Sequence, residues 1–278
     1  MQRGQIHLFG ILLTTMFSLA ACSVRGDGAV VLTIPHPDDA TKKVEAFYVK
    51  PQGNGPWPTV LFLHGHQSPP SAGGRDFVSW GVLERFARRG YLAVAVSQPG
   101  YGGSTGPADF CGSVTQHAVL GVLSNLEARG YVSPNKIVLE GVSRGALVAG
   151  LIAGQGTPLA GVVLISGLYD LPQFARDARS AQAREIVNSI KNETGGTMDA
   201  LRARSVLNLA RYIQMPVLIL NGAKDDRTNP DQARRLAEEI NAHGGRARAI
   251  IYPDFGHQIP AAVRDPEIDP FVDSVLGK

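Results

Sequence analysis

Lys136-Ile137-Val138-Leu139-Glu140-Gly141-Val142-Ser143-Arg144-Gly145-Ala146-Leu147-Val148-Ala149-Gly150-Leu151-Ile152-Ala153 is the stretch that decides how this chain folds. Its first five residues are short, apolar and β-branched, the composition of a buried strand. Its last eight are alanine- and leucine-rich and suit a helix packed closely on a sheet. Between them stands Gly141-x-Ser143-x-Gly145, a strand that must turn at once into a helix. Such a turn forces its apex residue into a strained, outward-pointing conformation, and side chains at the flanking glycines would strike the neighbouring strand and helix. The hydroxyl of Ser143 is then presented at a helix N-terminus, where free N–H groups and the helix dipole favour developing negative charge. A chance Gly/Ser turn explains the pentapeptide alone; the strand before it and the helix after it favour a nucleophile.

Working outward, the runs alternate. Residues 29–34 and 44–49 read as strands joined by a polar turn, an antiparallel hairpin. Residues 51–58 are a Pro/Gly loop, and residues 59–63 form a continuous apolar run, as in a strand covered on both faces. A helix is expected over residues 77–89, a strand over 91–96 and a helix over 114–128. Beyond the Ser143 segment, Gly161–Ile165 and residues 217–220 read as buried strands and Pro230–Ala242 as a helix. Residues 248–252 are the last strand, and 260–276 a closing helix interrupted by prolines. This order predicts an α/β fold: a mostly parallel, doubly wound sheet with helices on both faces. Residues 170–212 are polar, Arg- and Ala-rich and strand-free; they predict one to three helices inserted as a small cap over the carboxyl edge of the sheet.

The chain has 278 residues, 44% of them apolar and 18% charged, with a net charge of +3. That is ample for one large domain over residues 22–278 and unlike a disordered chain. The charges are interspersed, with no basic stripe and no internal repeat, so nucleic acid is not an expected partner. Residues 1–21 read as a signal peptide: Arg3 supplies the positive start and an uncharged apolar run follows, too short for a confident membrane span. The run ends in Leu19-Ala20-Ala21-Cys22, which resembles the lipobox of bacterial lipoproteins, and the resemblance implies lipid attachment at Cys22 and a tether in the cell envelope. Ser23 follows the cysteine, which by analogy with Gram-negative lipoproteins points to the outer membrane. An ordinary secretory signal with an incidental cysteine is the competing reading. Beyond Cys22 only Cys111 remains, so no internal disulfide is available; Cys111 reads as a buried, unreactive thiol.

A serine hydroxyl needs a base to take its proton, and the base needs an orienting acid. Two downstream strand ends supply them: Asn221-Gly222-Ala223-Lys224-Asp225-Asp226-Arg227, and Tyr252-Pro253-Asp254-Phe255-Gly256-His257. In an open α/β sheet both loops gather at the carboxyl edge, beside Ser143. The order Ser143, Asp225, His257 is that of the α/β hydrolases. Together with Leu63-His64-Gly65-His66 and the glycine-rich Gln98-Pro99-Gly100-Tyr101-Gly102-Gly103-Ser104, these residues make the chain resemble the α/β-hydrolase superfamily from about residue 44 onward. Within it the chain is similar to dienelactone-hydrolase-like esterases and to the catalytic domains of prolyl-oligopeptidase-type serine peptidases.

The resemblance implies that Ser143 attacks an acyl carbonyl, His257 relays the proton, Asp225 orients His257, and the backbone N–H groups of His66 and Arg144 form an oxyanion hole. The acid assignment stays open at this point between Asp225, favoured by the Gly-x-x-Asp spacing, and Asp226 or Asp170. His64 is expected to hydrogen-bond behind the oxyanion turn. His36, His117 and His243 lack ligand spacing, and neither a metal nor a cofactor is expected. The expected activity is serine-dependent hydrolysis of a small acyl ester outside the cytoplasm. A short-peptide substrate is the alternative, and a non-catalytic membrane-anchored binding protein a third. Dienelactone hydrolases use cysteine where this chain has Ser143, which sets the dienelactone substrate itself apart. Nothing in the sequence addresses the oligomeric state.

Overall fold

In the computed structural model, Ser23–Val24, residues 28–68 and residues 71–278 are described. Residues 1–21, expected as a signal peptide, and Cys22 lie outside the described residues. The strands are β1 (Ser23–Val24), β2 (Val30–His36), β3 (Asp39–Val49), β4 (Trp57–Leu63), β5 (Leu92–Val96), β6 (Val132–Val142), β7 (Gly161–Ile165), β8 (Pro216–Gly222) and β9 (Arg246–Tyr252). They form one nine-stranded sheet in the order β1-β2-β3-β5-β4-β6-β7-β8-β9. The hairpin β2–β3 pairs antiparallel, and β3 pairs antiparallel with β5. From β5 through β4, β6, β7, β8 and β9 every neighbour is parallel, because each is reached by a helical crossover.

Alternation along the strands sorts side chains between two cores. Leu61, Leu63, Ile137, Leu139, Val162, Leu164, Val217 and Ile219 face one core. That core is closed by α3 (Ser113–Ala128), α4 (Arg144–Gly154) and α8 (Pro230–Ala242). Val60, Phe62, Val138, Val163, Ile165, Leu218 and Leu220 face the other, closed by α1 (Arg75–Ser79), α2 (Val82–Arg88) and α9 (Ala261–Leu276). Every residue of α4 is buried, which is why its sequence after Arg144 is apolar all round.

Three expectations need correction. The helix expected over 77–89 is two helices, because Gly81 lies in the left-handed region at φ 68° and separates α1 from α2; glycine adopts that conformation without strain. The prolines expected to interrupt the last helix do not, since Pro266 and Pro270 lie inside an unbroken α9. Both face solvent, opposite buried Ile268, Val272 and Leu276, so the carbonyls left without an N–H partner can meet water. The hairpin and the strands that become β4, β8 and β9 also run longer than their apolar cores suggested.

Residues 170–212 carry α5 (Leu171–Asp177), α6 (Ala181–Thr194), α7 (Met198–Ala203) and a 3-10 helix, Val206–Tyr212. Asp170, Ser180 and Thr197 cap α5, α6 and α7 by accepting from the N–H groups of Gln173, Ala183 and Ala200, as such residues do at helix starts.

Candidate active site

The parallel strands deliver their following residues to one edge. Ser143 follows β6 and caps α4 with φ 53° and ψ −114°, a conformation costly for any residue with a side chain. Its N–H is tied to the Ile165 carbonyl at 2.7 Å. A Cβ at position 141 would lie 2.2 Å from the Gly145 oxygen, and one at position 145 would lie 2.1 Å from the Leu63 oxygen. The two glycines are therefore required by close approach of backbone to backbone.

Asp225 and His257 lie on loops that are bonded to each other: Ala223 N–H donates to the Tyr252 oxygen at 2.8 Å and Lys224 N–H to the Phe255 oxygen at 2.9 Å. His257 Nε2 lies 3.1 Å from Ser143 Oγ, and His257 Nδ1 lies 2.9 Å from Asp225 Oδ2. The Asp225 side chain is fully buried, and that of His257 is 12% exposed. Asp225 accepts four further bonds: from the N–H groups of Arg227 and Thr228 on Oδ1, and from Thr228 Oγ1 and Asn221 Nδ2 on Oδ2. Burial alone would raise its pKa. The bond from His257, the charge of that ring and the bonds from Thr228 outweigh burial and hold the carboxyl below the usual range.

The other candidates for the acid are placed elsewhere. Asp170 caps α5 and faces Arg235 at 3.5 Å. Asp226 is exposed, and its carbonyl accepts from Ser180. The three histidines without ligand spacing have structural partners. His36 accepts from Asp38 N–H and donates to the Val114 oxygen, His117 pairs with Asp38, and His243 meets the Glu239 oxygen. Cys111 is free and fully buried, its thiol pushed up to about 12 by burial and donating to the Arg144 carbonyl. Among the described residues no cluster of His, Cys, Asp and Glu has metal-binding geometry.

The turn expected to carry one oxyanion amide is built around His64. Its Nε2 accepts from Gln98 N–H at 3.0 Å, so its Nδ1 carries the proton and donates to the Gly65 oxygen at 2.7 Å. Burial lowers its pKa to about 4, keeping the ring neutral in that tautomer at neutral pH. Gly65 packs on Ser143, with room for only a 3.3 Å contact between a Cβ and that of the serine. The Arg144 amide, at the first position of α4, has no carbonyl within the helix to donate to. Thr228, Asn221 and Gln98 have no role that is legible in the sequence, because the contacts that give them one arise only on folding.

Ser143 and His257 open into a cleft of about 740 Å³. Its walls come from Phe77 of α1 and the following Trp80, from α6 with Gln182, Glu185, Ile186 and Ser189, and from Gln258, Ile259 and Pro260 leading into Ala261 and Arg264 of α9. The arrangement can deprotonate a hydroxyl against a buried carboxylate-supported imidazole beside free backbone amides, which is the chemistry of acyl transfer.

Fold and site define a serine hydrolase of the α/β-hydrolase type. Residues 83–269 match the prolyl oligopeptidase family, and the chain belongs to it. The Bacillus subtilis protein named uncharacterized peptidase YuxL is 22% identical over 223 residues, which cover 75% of this chain and 32% of that protein. The chain thus spans about a third of that relative's length. A puromycin-hydrolyzing peptidase of Mycobacterium tuberculosis superposes with TM-score 0.75 at 21% identity over 95% of this chain and 41% of its own. An acetyl xylan esterase from Paenibacillus sp. R4 superposes with TM-score 0.70 at 17% identity over 92% of this chain and 88% of its own.

Proposed function

We propose that this serine hydrolase cleaves a small acyl ester through an acyl-enzyme intermediate, with Ser143 as nucleophile, His257 as general base and then acid, and Asp225 as the orienting acid. The observation that carries the reading is the unbroken hydrogen-bonded line from Ser143 Oγ through His257 to a buried Asp225. The amides of Arg144 and His66 hold the oxyanion. The acyl carbon bonds to Ser143 Oγ as His257 takes the proton, and His257 returns that proton to the departing alkoxide. Water then repeats the sequence and frees the acid.

An ester is favoured by the resemblance to an acetyl xylan esterase over nearly the whole of both chains. A peptide substrate is the second reading, supported by membership of the prolyl oligopeptidase family. The Leu19–Cys22 motif supports attachment of the enzyme to the cell envelope through a lipid on Cys22. The test is a panel of short-chain aryl esters and aminoacyl arylamides with a fluorophosphonate label. Turnover and labelling should both disappear in Ser143→Ala, and undiminished ester cleavage by that variant would remove the assignment. Cleavage of arylamides in preference to esters would select the peptidase reading. A Cys22→Ala form that still partitions into detergent like the wild type would exclude the tether.

A further inference from the structure

Arg144 is a charged residue in an otherwise apolar helix, and it is 2% exposed. Its guanidinium forks onto Glu193, Nη1 to Oε1 at 2.9 Å and Nη2 to Oε2 at 2.7 Å. Its third donor, Nε, reaches Gln98 Oε1 at 3.2 Å. The rings of Phe110 and Tyr101 lie 4.8 and 5.3 Å from it. Glu193 stands near the end of α6 and also accepts the Phe110 N–H at 2.7 Å. Gln98 continues the line, since its Nε2 donates to the His64 carbonyl at 2.7 Å and its own N–H to the His64 ring. His64 in turn holds the Gly65 carbonyl, the group next to the His66 amide.

One hydrogen-bonded chain thus runs Glu193, Arg144, Gln98, His64, Gly65, and it touches both sides of the oxyanion hole. A buried ion pair is a weak source of stability against an apolar replacement, but the two parallel bonds of a forked Arg–carboxylate pair impose a specific geometry. Oxyanion donors act only when held about 2.7–3.1 Å from the developing charge. We propose that Glu193 is a positioning residue for catalysis: from α6 it holds Arg144 and, through Gln98 and His64, sets the placement of both oxyanion amides. The inference rests on the proposed assignment of Ser143 and its oxyanion hole.

The experiment uses the full chain, an aryl ester substrate, and a trifluoromethyl ketone whose adduct with serine carries an oxyanion. Glu193→Gln removes the charge and leaves only one acceptor for the guanidinium. Its kcat should fall by about tenfold to a hundredfold, somewhat less than loss of an oxyanion donor, while KM stays within about twofold. Affinity for the trifluoromethyl ketone should fall by the same factor as kcat. Arg144→Lys, which cannot fork, should show the same split and serves if Glu193→Gln does not fold. The double variant should be no worse than the weaker single one, because the two residues share one interaction. Full kcat in either folded variant, a rise in KM alone, or unchanged affinity for the ketone overturns the inference. Ser143→Ala assayed alongside separates the two claims. If it is inactive while Glu193→Gln is fully active, only the positioning role fails; if it remains active, the site assignment fails and takes this inference with it.

Discussion

Thr228 and His257 share one oxygen of Asp225, Thr228 Oγ1 at 2.6 Å and His257 Nδ1 at 2.9 Å from Oδ2. The hydroxyl has a single proton, and the shorter contact assigns it to the carboxylate over the Ser166 carbonyl at 3.2 Å. Thr228→Val keeps the shape and removes that bond, which to a charged acceptor is worth about 2 kcal/mol. The folded pKa of Asp225 is depressed, so its contribution is present above the unfolded carboxylate value and is lost as pH falls through the folded one. Removing a bond that favours the ionised form raises the folded value. Acid unfolding of Thr228→Val, followed by circular dichroism, should therefore begin at a higher pH than in the wild type.

The strained backbone of Ser143 predicts a split between stability and activity. Ser143→Ala removes the hydroxyl but keeps a Cβ at φ 53°, whereas Ser143→Gly removes both. The glycine variant should be inactive and more stable than the alanine variant by about 1 kcal/mol, after the entropic penalty of glycine offsets part of the relieved strain. Thermal unfolding of the two side by side measures it.

Gly145→Ala places a methyl group 2.1 Å from the Leu63 carbonyl oxygen. Neither partner can move, one being at the start of a buried helix and the other in a central strand. A loss of at least about 3 kcal/mol is expected from overpacking at this site, seen as a collapse in soluble yield or a large drop in Tm. Gly244→Ala is the control, because a Cβ there meets nothing within 4 Å although its φ of 85° carries some strain.

Glu140, next to the elbow, is buried and its Oε2 has no hydrogen-bond partner among the described residues. Burial pushes its pKa up to about 7, against the pull of Arg264 and Arg85 and with the push of Asp265 and Asp269. The folded value is raised, so between the ordinary carboxylate range and about 7 the native state keeps a proton that the unfolded chain has released. Stability from this group therefore declines as pH rises through that window, by an amount on the order of 3 kcal/mol. Glu140→Gln is neutral throughout. Its Tm should exceed that of the wild type at pH 8 and show no such gain at pH 4.

Local features were the most legible in the sequence. The runs that became β4, β5, β6, β7 and β8 are apolar because both faces of those strands are covered, and the elbow glycines announce themselves because nothing else fits. Asp225 could be separated from Asp226 only by spacing until the fold set its side chain against His257. Glu193 was invisible as a partner of Arg144, since their pairing spans 49 residues and no local pattern encodes it. The break at Gly81 was masked by apolar spacing that continues across it. Pro266 and Pro270 misled because their effect depends on which side of α9 faces water.

Within α6 the residues that border the cleft, Gln182, Glu185, Ile186 and Ser189, occupy the first three turns, and Glu193 occupies the last. One end of the helix can thus be randomised while the other is held. A library varied at those four positions with Glu193 kept would sample new cleft shapes on an unchanged attachment, which makes this helix the natural place to redirect the enzyme toward other acyl donors.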